Sequence, residues 1–189
     1  MGKVKYINEV RALFRKSPVV GISSLKRIMK GGYAYLMVNK LVKKGEVKRI
    51  TKGYYSLQDD PTLAVFCFKP AYIGLQDALS IHGLWEQETI PIILTTRTVR
   101  QGIRTVFGSN VLIRTLPKEY FFGIDYVEQG GLCIPVSDVE KTFIDMIYFN
   151  LPMDRNLIKR SKMDITKLRK YLAKYPEEVR KRVRCVVDV

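Results

Sequence analysis

The sequence predicts an α+β fold, and three observations carry that prediction. Apolar residues recur at three- and four-residue steps near both ends of the chain, the spacing of amphipathic helices. Between them lie short runs rich in β-branched and aromatic residues, bounded by Gly, Pro and Asn, which read as strands. The charge is divided along the same lines. Residues 1–60 carry 14 Lys/Arg against 4 Asp/Glu, a net of +10; residues 61–150 carry 7 against 9, a net of −2; residues 151–189 carry 12 against 5, a net of +7. With 189 residues and 47% hydrophobic composition, the chain can bury one large core or two small ones.

In KYINEVRALFRK, Ile7, Val10, Leu13 and Phe14 make one apolar stripe, and Pro18 stops that helix. In VVGISSLKRIMK, Ser23 or Ser24 is placed to N-cap a short helix carrying Leu25, Ile28 and Met29. Gly31-Gly32 breaks the chain, and YAYLMVNKLVKKG runs as a longer helix to Gly45, a C′ glycine after a Lys-rich last turn. EVKRITKGYYSL then gives two β-prone runs around Lys52-Gly53, a hairpin. Three helices followed by a two-stranded wing is the order of a winged helix-turn-helix, assigned to residues 1–60, with a linker at 58–62 (QDDPT).

Residues 61–189 are expected to form the mixed α/β-sheet domain. CFKPAYIGLQDALSIHGL gives an extended entry and a helix from about Leu75 to His82, ended by Gly83. IPIILTTR, RTVFGSNVLIRTL, IDYVEQ and GLCIPVS read as strands of one sheet. SDVEKTFIDMIYF reads as a helix with Ser137 and Glu140 as its capping box and Val139, Phe143, Ile144 and Ile147 on one face. From about residue 151 a basic helical tail follows: one amphipathic helix with Leu168 and Leu172, then a Pro-started helix with Val179 and Val183.

Several classes are excluded at this level. No apolar run approaches the roughly 18 residues that span a bilayer, and the N-terminus has neither the h-region of a secretion signal nor a myristoylation pattern. Three scattered cysteines and one histidine make neither a disulfide framework nor a multi-histidine metal centre. The expectation is a soluble cytoplasmic protein with no metal and no cofactor. There is no GxSxG, GxxxxGK[ST] or GxGxxG, and the lone ExK triplet, Glu46-Val47-Lys48, falls in the wing. His82, beside a helix-ending glycine, reads as a structural group bonding a carbonyl. No catalytic residue is assigned.

The basic N-terminal region points to a polyanion, since phosphate contacts release condensed counterions. With Gly45 ending the third helix, Ala34, Met37, Val38, Leu41 and Val42 face inward, while Tyr33, Tyr35, Leu36, Asn39, Lys40 and Lys43 face outward. Such a helix fits the major groove, where Tyr and Asn can read base edges or phosphates and Lys takes phosphates. Lys48, Arg49, Lys52 and Tyr54 are the wing's contacts to the backbone or minor groove. The basic tail supplies a second surface for DNA or RNA.

The winged helix followed by KGYYSL, then AYIGLQDALSIHGL, the TTR strand end and PVSDVEKTFIDMI, resembles the AbiEi family of antitoxins over about residues 5–150. Its most specific parts are Ala78-Leu79 with His82-Gly83-Leu84, and the Ser137/Glu140/Thr142/Asp145 helix. The resemblance implies an autorepressor that binds inverted repeats in its own promoter, with double-stranded DNA read by the helix from Tyr33 to Lys44 and the wing from Lys48 to Tyr54. It also implies the antitoxin role of a type IV toxin–antitoxin pair, opposing a nucleotidyltransferase toxin through the second domain without a stable inhibitory complex. Leu79, His82, Gly83 and Asp145 then have a structural or antitoxin-surface role. Two other readings stay open: an RNA-binding module shielding a toxin's substrate, and a metal-dependent nuclease involving Asp145. The protein is expected to be a monomer or homodimer.

Overall fold

The computed structural model describes residues 2–29 and 32–187. The chain forms two compact units, Met1–Phe68 with Thr105–Val111 (unit 1) and Lys69–Arg104 with Leu112–Val189 (unit 2). The whole is mixed α/β with a mixed sheet.

Unit 1 contains α1 (Gly2–Lys16), β1 (Val20–Gly21), α2 (Ile22–Ile28), α3 (Tyr33–Lys43), β2 (Lys48–Thr51) and β3 (Tyr54–Ser56). The apolar stripes anticipated for the helices meet in one core: Val10 and Phe14 from α1, Leu25 and Met29 at α2, and Ala34, Met37, Val38 and Leu41 from α3. Complete burial of such a side chain contributes roughly 1.5–3 kcal/mol. The β2–β3 hairpin turns at Lys52-Gly53, with Gly53 at φ +81°, a conformation that favours glycine.

Two expectations need correction here. Neither Ser23 nor Ser24 caps α2; Gly21 holds the N-cap position with no side-chain bond. The reason is β1, a two-residue strand that pairs Val20 with Tyr55 and Gly21 with Tyr54 and makes the sheet three-stranded, in the order β1-β3-β2. The ladder carries the chain directly into α2, whose first amide, on Ile22, donates to the Gly53 carbonyl at 2.8 Å. The stretch read as a linker at 58–62 is ordered as well. The Asp60 carboxylate accepts from the Thr62 amide at 2.8 Å and starts a 3-10 helix, Pro61–Cys67, with Leu63, Ala64, Val65 and Cys67 buried. The first division between the units falls after Phe68, and residues 105–111 return to unit 1. Of the expected glycine break, Gly31 lies outside the described residues and Gly32 occupies the N-cap of α3.

The remaining elements are β4 (Ala71–Ile73), α4 (Leu75–Ile81), β5 (Ile92–Thr95), β6 (Gly102–Val106), β7 (Ser109–Thr115), β8 (Ile124–Gln129), β9 (Leu132–Ser137), α5 (Val139–Tyr148), α6 (Arg155–Arg160), α7 (Ile165–Leu172) and α8 (Glu177–Val187), all in unit 2 except the end of β6 and the start of β7, which fall in unit 1. The six strands form one sheet in the order β6-β7-β5-β4-β9-β8. β4 is antiparallel to β5 and parallel to β9; β5 is parallel to β7; β8 is antiparallel to β9.

The capping of α5 also differs from expectation. Asp138, not Ser137, is the N-cap, and its carboxylate accepts from the Lys141 amide at 2.8 Å. Ser137 still belongs to β9, paired with Ile124, so the helix cannot begin one residue earlier. Glu140 is displaced from the capping-box position, and its Oε1 accepts from the Asp164 amide at 2.9 Å. Rather than one apolar face, α5 is buried from Glu140 through Ile147. The basic C-terminal region is not a separate tail. Leu157, Leu168, Leu172, Tyr175, Val179 and Val183 enter the same core as Phe143, Ile144 and Ile147. The sequence reading had not identified α6, whose N-cap is Asp154.

Candidate nucleic-acid interface

The third helix is defined at its end by residues 41–46. Gly45, at φ +71°, donates to Val42, and Glu46 donates to Leu41, both at 3.0 Å, satisfying two of the last carbonyls. That stop sets the helix's rotation. Ala34, Met37, Val38 and Leu41 are buried, Val42 is half-buried, and the ridge diametrically opposite is Leu36, Asn39 and Lys43, with Tyr35 and Lys40 on its flanks. Leu36 is 67% exposed, and Tyr35 next to it in sequence is exposed as well. Tyr35 is held by Lys26 of α2, whose ammonium lies 4.8 Å from the ring centroid. Tyr33 does not join this ridge: it is half-buried with its ring edge-on to Tyr6 of α1 at 6.4 Å.

The hairpin residues are spread unevenly. Lys52 sits exposed at the turn and Arg49 is exposed on β2, its Nε donating to the Thr51 carbonyl at 3.4 Å. Lys48 donates to the Asp59 carboxylate, a contact that holds the Asp59 carboxyl below its ordinary range. Tyr54 is half-buried, and a Cβ on Gly21 would lie 3.6 Å from its ring. Thus Tyr35, Leu36, Asn39, Lys40 and Lys43 converge on one face, while Tyr33, Lys48 and Tyr54 are partly committed within unit 1. Glu46 of the lone ExK triplet is paired with Arg11 at 2.8 Å, and Lys48 with Asp59, so neither end is directed at the other.

In unit 2 two of the four motif residues, Leu79 and Asp145, are buried, and the other two, His82 and Gly83, close α4. Leu79 is fully buried. His82 caps α4, and its Nε2 donates to the Ser137 carbonyl at 2.7 Å; a carbonyl only accepts, so that nitrogen carries the proton. Gly83 at φ +69° closes the helix, with Leu84 donating to Leu79 at 2.8 Å. Asp145 is buried, salt-bridged to Lys141 one turn earlier, and accepts from the Tyr72 hydroxyl at 2.7 Å and the Tyr175 hydroxyl at 3.4 Å. Burial pushes the Asp145 carboxyl up and the Lys141 amine down, and their mutual attraction opposes both shifts. Burial, then the Asp145 charge, raises the hydroxyls of Tyr72 and Tyr175 well above the ordinary tyrosine value.

A second set of charges adjoins the first. Lys167 of α7 contacts Asp138 at 3.1 Å and Glu140 at 3.0 Å, and the Tyr171 hydroxyl donates to Asp138 at 2.8 Å. Burial works against the Lys167 charge, but the hydrogen bonds to Glu140 and Asp138 outweigh it and the amine is shifted upward. The sequence reading missed Lys141, Tyr72 and Tyr175. The available signal was Lys141 and Asp145 at i, i+4 inside an otherwise apolar helix. Among the described residues no group of three or more His, Cys, Asp or Glu side chains is placed to hold a metal ion. No helix among them is long and apolar enough to cross a membrane.

Compared with protein families and with curated proteins, the chain shows no match. Its fold is similar to that of the RV2827C protein from Mycobacterium tuberculosis, whose crystal structure aligns with a TM-score of 0.61 at 13% sequence identity, over 97% of this chain and 76% of that one. At such an identity the likeness is one of fold.

Proposed function

We propose that unit 1 is a winged helix-turn-helix that binds double-stranded DNA and represses the promoter of its own gene. The observation that carries this reading is the outward ridge of α3. An exposed leucine beside an exposed tyrosine, an asparagine and two lysines occupy the face opposite the core, a set of apolar, amide and cationic groups suited to base edges and phosphates. In a major groove that leucine meets the thymine methyl, Asn39 an adenine edge, and Lys40 and Lys43 the flanking phosphates. Lys52 and Arg49 on the hairpin extend the phosphate contacts.

The resemblance to AbiEi antitoxins supports the second half of the reading: unit 2 opposes a nucleotidyltransferase toxin of a type IV pair, and the protein needs no catalytic group to do so. The protein would act as a monomer or homodimer in the cytoplasm. A second reading, RNA binding by unit 2, is favoured by the exposed cations Arg169, Lys170, Lys174, Lys181 and Arg184 on α7 and α8 and the turn between them. A reporter fused to the DNA upstream of this gene tests the primary reading. Co-expression of the protein lowers reporter output, and a Leu36→Ala/Asn39→Ala/Lys43→Ala variant restores it. Equal output with and without the protein would overturn autorepression.

A further inference from the structure

β5 and β7 run parallel, so their carboxyl ends lie at one edge of the sheet, and β4, antiparallel to β5, begins there. At this edge a cleft of about 580 Å³ is lined by Pro70, Thr96, Arg97, Thr98, Lys118 and Phe121. The carboxyl ends of parallel strands are where open α/β sheets hold ligands, and the volume is within the range of small-molecule sites. Among the described residues no carboxylate lines the cleft. That is notable in a stretch, residues 61–150, whose net charge is −2. The Arg97 and Lys118 side chains are exposed, as are Lys69 and Arg100 close by in sequence. Phe121 in the lining is half-buried, its ring tilted against that of Tyr72 at 5.7 Å between centroids. Tyr72 is fixed in turn by its bond to Asp145. Pro70 in the lining is fixed by the Thr96 amide and Thr95 hydroxyl, which both donate to its carbonyl, at 3.3 and 2.9 Å.

We infer that this cleft binds a nucleoside phosphate, with the base stacked on Phe121 and the phosphate between Arg97 and Lys118. An aromatic ring accepts a base face whatever the base. A guanidinium and an ammonium in an acid-lacking lining take a phosphate, and the hydroxyls of Thr96 and Thr98 add donors. The nucleotide is either free or the end of an RNA strand, and the same chemistry serves both. This site stands apart from the DNA reading of unit 1.

The test uses the full-length protein with fluorescein-labelled AMP, a labelled 12-nucleotide single-stranded RNA, and unlabelled inorganic phosphate as competitor. Saturable binding of labelled AMP or of the RNA is expected, and the tighter of the two identifies the source. Lys118→Gln and Arg97→Gln each weaken it about tenfold, and Phe121→Leu about fivefold or more. Thermal unfolding followed by the fluorescence of Trp85, packed on the unit 2 core, verifies that each variant is folded. No saturable binding of either probe, or equal affinity in the folded Lys118→Gln and Arg97→Gln proteins, would overturn the proposal. So would phosphate competing as well as unlabelled AMP.

Discussion

The two units use charged side chains in opposite ways. In unit 1 the cations of α3 and the hairpin turn point outward, and the core beneath them is apolar. In unit 2 a lysine and an aspartate are buried together, with two tyrosine hydroxyls completing the carboxylate's bonds. An exposed charge contributes little to stability, at most about 1 kcal/mol per pair, and its energy is available to a partner. A buried pair is costly to desolvate, and removing one member leaves the other uncompensated. Substituting the outward cations of α3 should therefore change binding, and substituting the buried pair of α5 should change folding.

The largest expected effect breaks the buried pair. Asp145→Ala strands Lys141 and should destabilise unit 2 by about 3–5 kcal/mol, whereas Lys141→Met with Asp145→Leu should recover most of that loss. Urea denaturation followed by Trp85 fluorescence measures both. A single variant as stable as the double would show that the pair is not electrostatically isolated from water.

Alkali offers a second way to separate the units. Tyr72, Tyr171 and Tyr175 are all raised in the folded state, Tyr171 to about 12 through burial and its bond to Asp138. A raised folded pKa means stability that is complete below the unfolded value, 10.0, and lost as pH rises past it. In unit 1 the comparable group is Cys67, which burial pushes from 9.0 up to about 12. With three such groups against one, unit 2 should lose more stability than unit 1 between about pH 10 and 12, these three of its six tyrosines ionising in the same transition. Absorbance of tyrosinate against Trp85 fluorescence checks this, and all 11 tyrosines titrating near pH 10 in folded protein would contradict it.

Smaller effects sharpen the account of unit 1. Replacing thymine by deoxyuridine in the bound duplex, or Leu36 by Ala, should each cost roughly 1 kcal/mol of sequence discrimination, and together no more than either alone. Lys40→Ala and Lys43→Ala should each weaken binding to all sequences and reduce the salt slope by about one. The smallest change is Asp59→Asn, which releases Lys48. It should leave the thermal midpoint unmoved and tighten duplex binding by roughly twofold.

Much of this was legible in sequence because it depends on local pattern. The burial register of α3 follows from its apolar spacing and Gly45, and the hairpin turn from Lys52-Gly53. The ends of α4 and the strands follow from Gly83 and the β-branched runs. What was not legible depends on distant partners. β1 has two residues, too few to alternate, and exists only because Tyr54 and Tyr55 pair with it. The cap of α5 moved from Ser137 to Asp138 because the β9 ladder extends through Ser137. The burial of Lys141 depends on Tyr72, 69 residues away, which no local pattern pairs with it. The cation at Lys48 is tempered by Asp59, a residue the linker reading had set outside the wing.

The most direct test of unit 1 as a sequence-reading surface is fluorescence anisotropy with the duplex upstream of this gene, beside a scrambled duplex and a structured RNA, over about 50–300 mM salt. The account predicts preference for the upstream duplex that persists near physiological salt and is lost in Leu36→Ala/Asn39→Ala. Equal affinity for all three polyanions, collapsing together as salt rises, would contradict it.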